Sequence, residues 1–357
     1  MLIIDAHQDL SWNAVNWNRD LTLPIKDIRQ SETGMNQTAR GTNTVSLPSM
    51  REGNVAVCLA TILARANPKG RSILDFRNQE IASAMAQGQL AYYRILETQK
   101  ELVQLRDWAQ LDDFVQSWPS DPSITKPVGY ILSMEGADPI LDPKHLEFWW
   151  GEGLRTLGLA HYGVSAYAHG TASEGGLTQK GKELVRFMDE LGMILDVTHL
   201  AEESFWEALR SFKGPVIASH NNCRRLVPGD RQFSDEQLRA LIERDVVIGA
   251  AFDNWMLHPG WVAGQTPNSV VNLGRVIDHM DYICQLAGNS KNIGIGSDLD
   301  GGFGTEQSPH DLNTIADLQK VPELLRTRGY LETDIKAVMH GNWLRSFRKA
   351  WERDANK

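Results

Sequence analysis

The chain has 357 residues, 42% of them hydrophobic and 23% charged, an ordinary globular composition with enough apolar material for a large core. Thirty-six basic against 45 acidic residues give a formal charge of −9, which argues against a nucleic-acid or anionic-membrane surface built on clustered Lys and Arg. Cys58, Cys223 and Cys284 are too few and too scattered for a disulfide framework or a Cys-rich zinc motif. No apolar run approaches the ~18 residues that span a bilayer. The opening Met1-Leu2-Ile3-Ile4-Asp5 lacks a basic, apolar leader, and the polar tail from Glu352 to Lys357 lacks a GPI-type signal, so a soluble cytoplasmic protein is expected.

Near-continuous apolar runs at 2–5, 55–62, 128–133, 156–160, 193–197, 215–219, 246–251 and 293–296 read as strands of a parallel sheet covered on both faces. Amphipathic helices alternate with them. One lies at 182–191 and stops at Gly192, others at 203–209 and 269–286, and another begins at the capping box Ser234-Asp235-Glu236-Gln237. Eight such units predict an α/β fold of the (β/α)8 barrel type over residues 1–357 as one catalytic domain. A long insertion at 64–127, helical around 81–106, elaborates the second unit.

Barrel enzymes carry reactive side chains where strands end. The first strand ends in His7-Gln8-Asp9, the third in Glu135-Gly136 and the fourth in His161-Tyr162. The fifth ends in Thr198-His199, the sixth in Ser219-His220 and the eighth in Asp298. His7, Asp9, Glu135, His199 and His220 are imidazole and carboxylate donors, which suit zinc or a similar divalent ion. Residues two apart on a strand share a face, so His7 and Asp9 can reach one ion. Five ligands serve two ions at three each only if a carboxylate bridges, either Glu135 or Asp9. Singly, each residue has a structural alternative: His220 could cap a helix, and Glu135 could be a loop carboxylate. Cys223 reads as a small buried residue.

In order along the chain, Asp5-Ala6-His7-Gln8-Asp9-Leu10, Met134-Glu135-Gly136, Leu159-Ala160-His161, Asp196-Val197-Thr198-His199, Ser219-His220 and Gly294-Ile295-Gly296-Ser297-Asp298-Leu299-Asp300-Gly301 resemble the motifs of the renal (membrane) dipeptidase family, peptidase M19. The closing Gly341-Asn342-Trp343-Leu344-Arg345 is similar as well. The resemblance implies one zinc on His7, Asp9 and Glu135 and a second on Glu135, His199 and His220, with Glu135 bridging. It implies substrate contact and oxyanion stabilisation by His161, a proton carried by Asp298, and the substrate carboxylate held by Arg231 rather than by nearby Arg224 or Arg225. The reaction implied is hydrolysis of dipeptides with a free C-terminal carboxylate, L-D dipeptides included, by a metal-bridging hydroxide. General principles agree, since divalent ions lower the pKa of bound water and a guanidinium matches a carboxylate in two bonds.

Members of that family are commonly homodimers, though no interface is legible in the sequence. The chain departs from the family pattern in the loop 162–170, which is expected to border the pocket and to alter side-chain preference, and in Ser11-Trp12 after the opening motif. Trp12, Trp17, Trp149 and Trp150 are candidates for pocket walls or for core. Two alternatives carry different expectations: a two-metal amidohydrolase acting on another amide, ester or lactone would not need Arg231, and a non-catalytic metal-binding protein would not need Asp298.

Overall fold

A computed structural model describes residues 1–70, 72–118 and 126–354. All eight expected strands are present: β1 (Ile3–Gln8), β2 (Val55–Ile62), β3 (Val128–Met134), β4 (Leu154–Gly158), β5 (Ile194–Asp196), β6 (Val216–Ile217), β7 (Ile248–Ala250) and β8 (Ile293–Ile295). They pair in parallel in the order β7-β8-β1-β2-β3-β4-β5-β6. The two ends of that path meet at the Ala218–Ile248 bridge, where Gly249 N donates to Ala218 O at 2.8 Å. The result is the α/β barrel anticipated from the apolar runs.

The closure is tight. A Cβ on Gly249 or Gly296 would come within 1.9 or 1.8 Å of the Ser219 carbonyl oxygen, so glycine is what lets β6, β7 and β8 converge. Helices cover the outside as expected. Ser234 and Gln237 form the reciprocal capping box, and Gly192 ends the helix Gln179–Leu191 in the left-handed region.

The insertion is only partly as expected. Its main helix, Gln79–Thr98, starts at the Asn78 cap and buries Ala82, Ala86, Leu90 and Tyr93 on one face. Tyr93 donates to Thr61 O at 2.8 Å, and the Gln89 amide exchanges two bonds with Leu63, which fixes the chain leaving β2. The helix does not continue to 106. Lys100 takes a positive φ of 60°, and Leu102–Gln104 turns into a strand that pairs with Val128–Tyr130. That half of the β3 edge is open because β4 joins only from Leu132 onward, and its unpaired backbone groups outweigh helix propensity. Residues 119–125 of the insertion lie outside the described residues. The helix expected at 269–286 likewise begins later, at Gly274, after a short 3-10 turn.

The C-terminal helix Asn342–Asp354 locks β8. Asn342 Nδ2 donates to Ser290 O and Ile293 O at 2.7 and 2.8 Å, and the buried Trp343 indole donates to Ile295 O at 3.0 Å. Phe347 and Trp351 continue the stack at four-residue spacing. Replacing Trp343 with Ala is expected to cost about 3–5 kcal/mol of stability. Urea unfolding monitored by circular dichroism measures it; a loss under about 1 kcal/mol would mean that this helix does not hold the barrel.

Candidate metal centre

Six strand ends deliver side chains to one rim. His7 lies in β1, while Asp9 stands just past the end of that strand, as the residue preceding the helix Leu10–Trp17. Strand alternation alone therefore does not bring this pair together as the spacing suggested; the turn into the helix completes it. His7 Nε2 is 3.6 Å from Asp9 Oδ2 and 3.7 Å from Glu135 Oε2. Glu135 Oε1 faces the other way, 3.0 Å from His199 Nε2 and 3.3 Å from His220 Nε2. One carboxylate thus turns one oxygen toward each of two groups of potential ligands, whereas Asp9 stands in only one of them.

His199 and His220 are held from behind. Thr171 Oγ1 is 3.1 Å from His199 Nδ1, and Ser219 Oγ is 2.9 Å from His220 Nδ1. With the proton on Nδ1, each hydroxyl oxygen accepts and Nε2 is left free as a ligand. Asp5, wholly buried, accepts from Ser297 N, Ser297 Oγ and Gln8 Nε2 and ties β1 to β8. Asp196 accepts from Thr198 N and Ser219 N, each at 3.0 Å, linking the loops that bear His199 and His220. His199 and Asp298 both adopt positive φ, 65° and 59°, a strain that side chains tolerate where the surrounding structure enforces it.

The donors fit divalent cations. His7, Asp9 and Glu135 form one group of three and Glu135, His199 and His220 another, with ligand atoms within 4.8 Å of one another in each. His7 Nε2, Asp9 Oδ1 and Glu135 Oε1 are buried with no hydrogen-bond partner, a costly arrangement for polar atoms unless a cation completes it. Burial above all, then Arg231 at His199 and His7 at His220, holds both pKa values well below the usual range, so both rings are neutral as ligands must be. Burial would lower His7 too, but the Glu135 and Asp9 carboxylates lift it to about 10. Burial pushes Glu135 up to about 8 against the pull of His7.

The remaining candidates line the same small cavity, of about 110 Å³. Asp298 Oδ1 is 3.6 Å from His7 Nε2, and burial raises its pKa well above normal. Gly301 makes room for it, since a Cβ there would stand 1.9 Å from Asp298 Oδ1. Asp300, the competing carboxylate, is instead structural: it accepts from Thr44 N, Thr44 Oγ1, Val45 N and Asn43 Nδ2. Arg231 is buried, donates through Nη2 to His220 O at 2.9 Å, and has no partner for Nη1 among the described residues. Arg224 is engaged by Glu202, Gly229 O and Gln232 O, and Arg225 is exposed. His161 Nε2 lies 3.8 Å from Glu135 Oε1, and Arg65 Nη1 lies 3.4 Å from its Nδ1. A guanidinium can only donate, so that contact leaves the proton on Nε2, the nitrogen on the Glu135 side.

One reading of the walls needs correcting. In the loop 162–170 only Tyr162 reaches the cavity; the rest folds into a small hairpin bridged at Val164–His169. Of the four tryptophans only Trp12 lines it. Trp17 packs edge-on against Trp12, Trp149 is buried, and Trp150 lies under the Arg155 guanidinium at 3.8 Å. Residues unanticipated from sequence complete the walls: Ile73 and Leu74 from the insertion, and Asp253, Trp255 and Met256 after β7. Asp253 was within reach of the strand-end rule applied to the seventh strand, and Arg65, three residues past β2, within reach of the same rule at the second. Cys223 is buried and unpaired, its thiol against His279 O.

With this geometry in view, comparison with known proteins is decisive. The profile described as membrane dipeptidase, peptidase family M19, matches residues 1–357. The chain belongs to this family. Its members include metallo peptidases such as dipeptidase AC, whose crystal structure superposes with a TM-score of 0.80 at 23% identity, over 98% of this chain and 99% of that one. A metallo peptidase from Rhodobacter sphaeroides, liganded with a phosphinate mimic of the dipeptide L-Ala-D-Ala, superposes at 0.79 with 23% identity over the same shares. Dipeptidase aclJ from Aspergillus oryzae is 30% identical over 200 residues, 54% of this chain and 44% of its own length. The match spans 84% of a Klebsiella pneumoniae relative and about half the length of four other curated relatives. No helix among the described residues is long and apolar enough to cross a membrane.

Glu135→Gln keeps the shape but weakens the shared oxygens as ligands. Elemental analysis after dialysis is expected to find at least one metal equivalent per chain fewer than in the wild type. Ser219→Ala, which frees His220 Nδ1, is expected to weaken metal affinity about 10–100-fold in competition with a chelator. Full retention by Glu135→Gln would remove Glu135 from the ligand set.

Proposed function

We propose that the chain is a zinc-dependent dipeptidase that cleaves dipeptides with a free C-terminal carboxylate, L-D dipeptides among them. The observation that carries this reading is the sharing of one cavity by Glu135, turned toward two ligand groups, and a buried Arg231 guanidinium nitrogen that has no protein partner. An unpaired buried donor of fixed charge calls for an anion, and a carboxylate matches its planar fork. The phosphinate L-Ala-D-Ala complex of the Rhodobacter sphaeroides relative supports the substrate class and its stereochemistry.

His7, Asp9 and Glu135 would hold one zinc and Glu135, His199 and His220 the other; imidazole and carboxylate donors without thiolate support that metal. Bound zinc supplies Lewis acidity toward the scissile carbonyl and toward a water. The chain does the rest. Arg231 fixes the C-terminal carboxylate and so sets which amide bond lies over the ligand groups. His161, its Nε2 proton dictated by Arg65, donates to the carbonyl oxygen as negative charge grows there. Asp298, buried on the His7 side, takes the proton of the attacking water and returns it to the leaving amine nitrogen. The apolar walls Trp12, Leu63, Ile73, Leu74 and Met256 exclude bulk water from these transfers. Three unpaired cysteines support a reducing, cytoplasmic setting.

A panel of L-L and L-D dipeptides assayed with zinc-loaded protein tests the reading, with chelator-sensitive turnover expected and its absence for every member counting against it. Arg231→Ala is expected to lower kcat/KM roughly 100-fold, about 3 kcal/mol, chiefly through KM. Equal turnover by that variant would shift the reading to an amide, ester or lactone without a carboxylate.

A further inference from the structure

Four carboxylates line the cavity, and three of them, Asp9, Glu135 and Asp298, belong with the ligand groups and the proton path. The fourth, Asp253, has no part in either. It stands just past β7 and is only 6% exposed. Gln307 Nε2 donates to both of its oxygens, at 2.8 and 3.1 Å, and Trp255 N donates to Oδ1 at 3.3 Å, so the group is clamped in place. Among the described residues no Lys, Arg or His forms an ion pair with it. Burial pushes its pKa up to about 7 against the hydrogen bonds from Gln307 and Trp255 and the charge of Arg231, which lines the same cavity without pairing to it.

A helix cap explains part of this arrangement, since Asp253 caps the single turn Asn254–Leu257. It does not explain the charge, because Asn or Ser serves a cap equally well. A buried carboxylate facing a substrate cavity is costly while it carries its charge unless a cation neutralises it, and among the described residues none stands at ion-pairing distance. A charged Asp253 is then matched by a cation that the ligand brings. Arg231 and Asp253 together present one positive and one negative group to a molecule that enters, which is the complement of a zwitterion.

We infer that Asp253 is a specificity-determining residue that receives a positively charged nitrogen of the substrate beside the carboxylate held by Arg231. The inference rests on the dipeptide reading. The shared chemistry is an ammonium or guanidinium group, and a dipeptide can provide it from its α-amino end or from a basic side chain on its C-terminal residue.

Asp253→Asn tests it, because Asn keeps the cap and still accepts from Gln307 while losing the charge. The zinc-loaded wild type and variant are assayed with Ala-D-Ala, its N-acetyl form and Ala-D-Lys. If the basic side chain is the source, kcat/KM for Ala-D-Lys falls about 10- to 100-fold through KM and that for Ala-D-Ala does not change. If the α-ammonium is the source, both free-amine dipeptides lose that factor, and the wild type already discriminates against the N-acetyl form by a similar one. Unchanged constants for all three overturn the inference and leave Asp253 as a helix cap. Calorimetric titration with L-lysine reads the same site without turnover: binding weakened at least 10-fold by Asp253→Asn supports the inference, and equal or absent binding in both proteins contradicts it. Wild-type protein that cleaves no dipeptide but binds lysine in an Asp253-dependent way would sink the dipeptide reading alone.

Discussion

The Glu135 carboxylate, with one oxygen toward His7 and the other toward His199 and His220, is the contact on which the site depends. It stands just past the end of β3, the two imidazoles beside it just past β5 and β6, and His7 lies in β1, so the barrel must close in a single register for the four to meet. A shift of one residue in any of these strands would reverse the faces of its side chains and break the set. The glycines at 249 and 296, the Asp5 bridge from β1 to β8 and the Asp196 bridge between the β5 and β6 loops are the local means by which that register is kept. Polar atoms buried at the rim without partners raise the cost of the unliganded site, and the same atoms become useful once a cation is present.

Around this contact the chemistry is divided by position. Three imidazoles and the Glu135 carboxylate stand in two candidate ligand groups, Asp298 at the eighth strand lies on the His7 side, and Arg231 reaches in from a loop with one nitrogen committed to the backbone of His220 and one without a partner among the described residues. The backbone tie matters because it sets the distance between the guanidinium and the candidate ligand groups through a single link. Arg65 works in a similar indirect way, fixing which nitrogen of His161 carries the proton. Family membership and this geometry agree on a metal-dependent peptidase.

Much of this was legible in the sequence because parallel strands buried on both faces are written as continuous apolar runs, and because the fold puts functional residues at one end of each run. Asp9, Glu135, His161, His199, His220 and Asp298 all line one cavity for that reason, with His7 against Asp9, Glu135 and Asp298; Arg231 joins them from a loop. What was not legible depends on contacts between distant segments. The strand Leu102–Gln104 exists because β4 leaves part of the β3 edge unpaired, a fact invisible at residues 102–104 themselves. The walls come from Ile73, Leu74 and Met256, ordinary apolar residues whose position only the folded insertion and the β7 loop decide. The loop at 162–170 was expected at the pocket because it follows His161, yet its own hairpin bonds draw all but Tyr162 away.

Crystals of zinc-loaded protein, measured on both sides of the zinc absorption edge, test the central claim most directly. Bridging by Glu135 predicts two anomalous peaks about 3.5–4 Å apart, each beside a different oxygen of that carboxylate, with His7 and Asp9 on one and His199 and His220 on the other. A single peak, or Glu135 turned away from both metals, would contradict it.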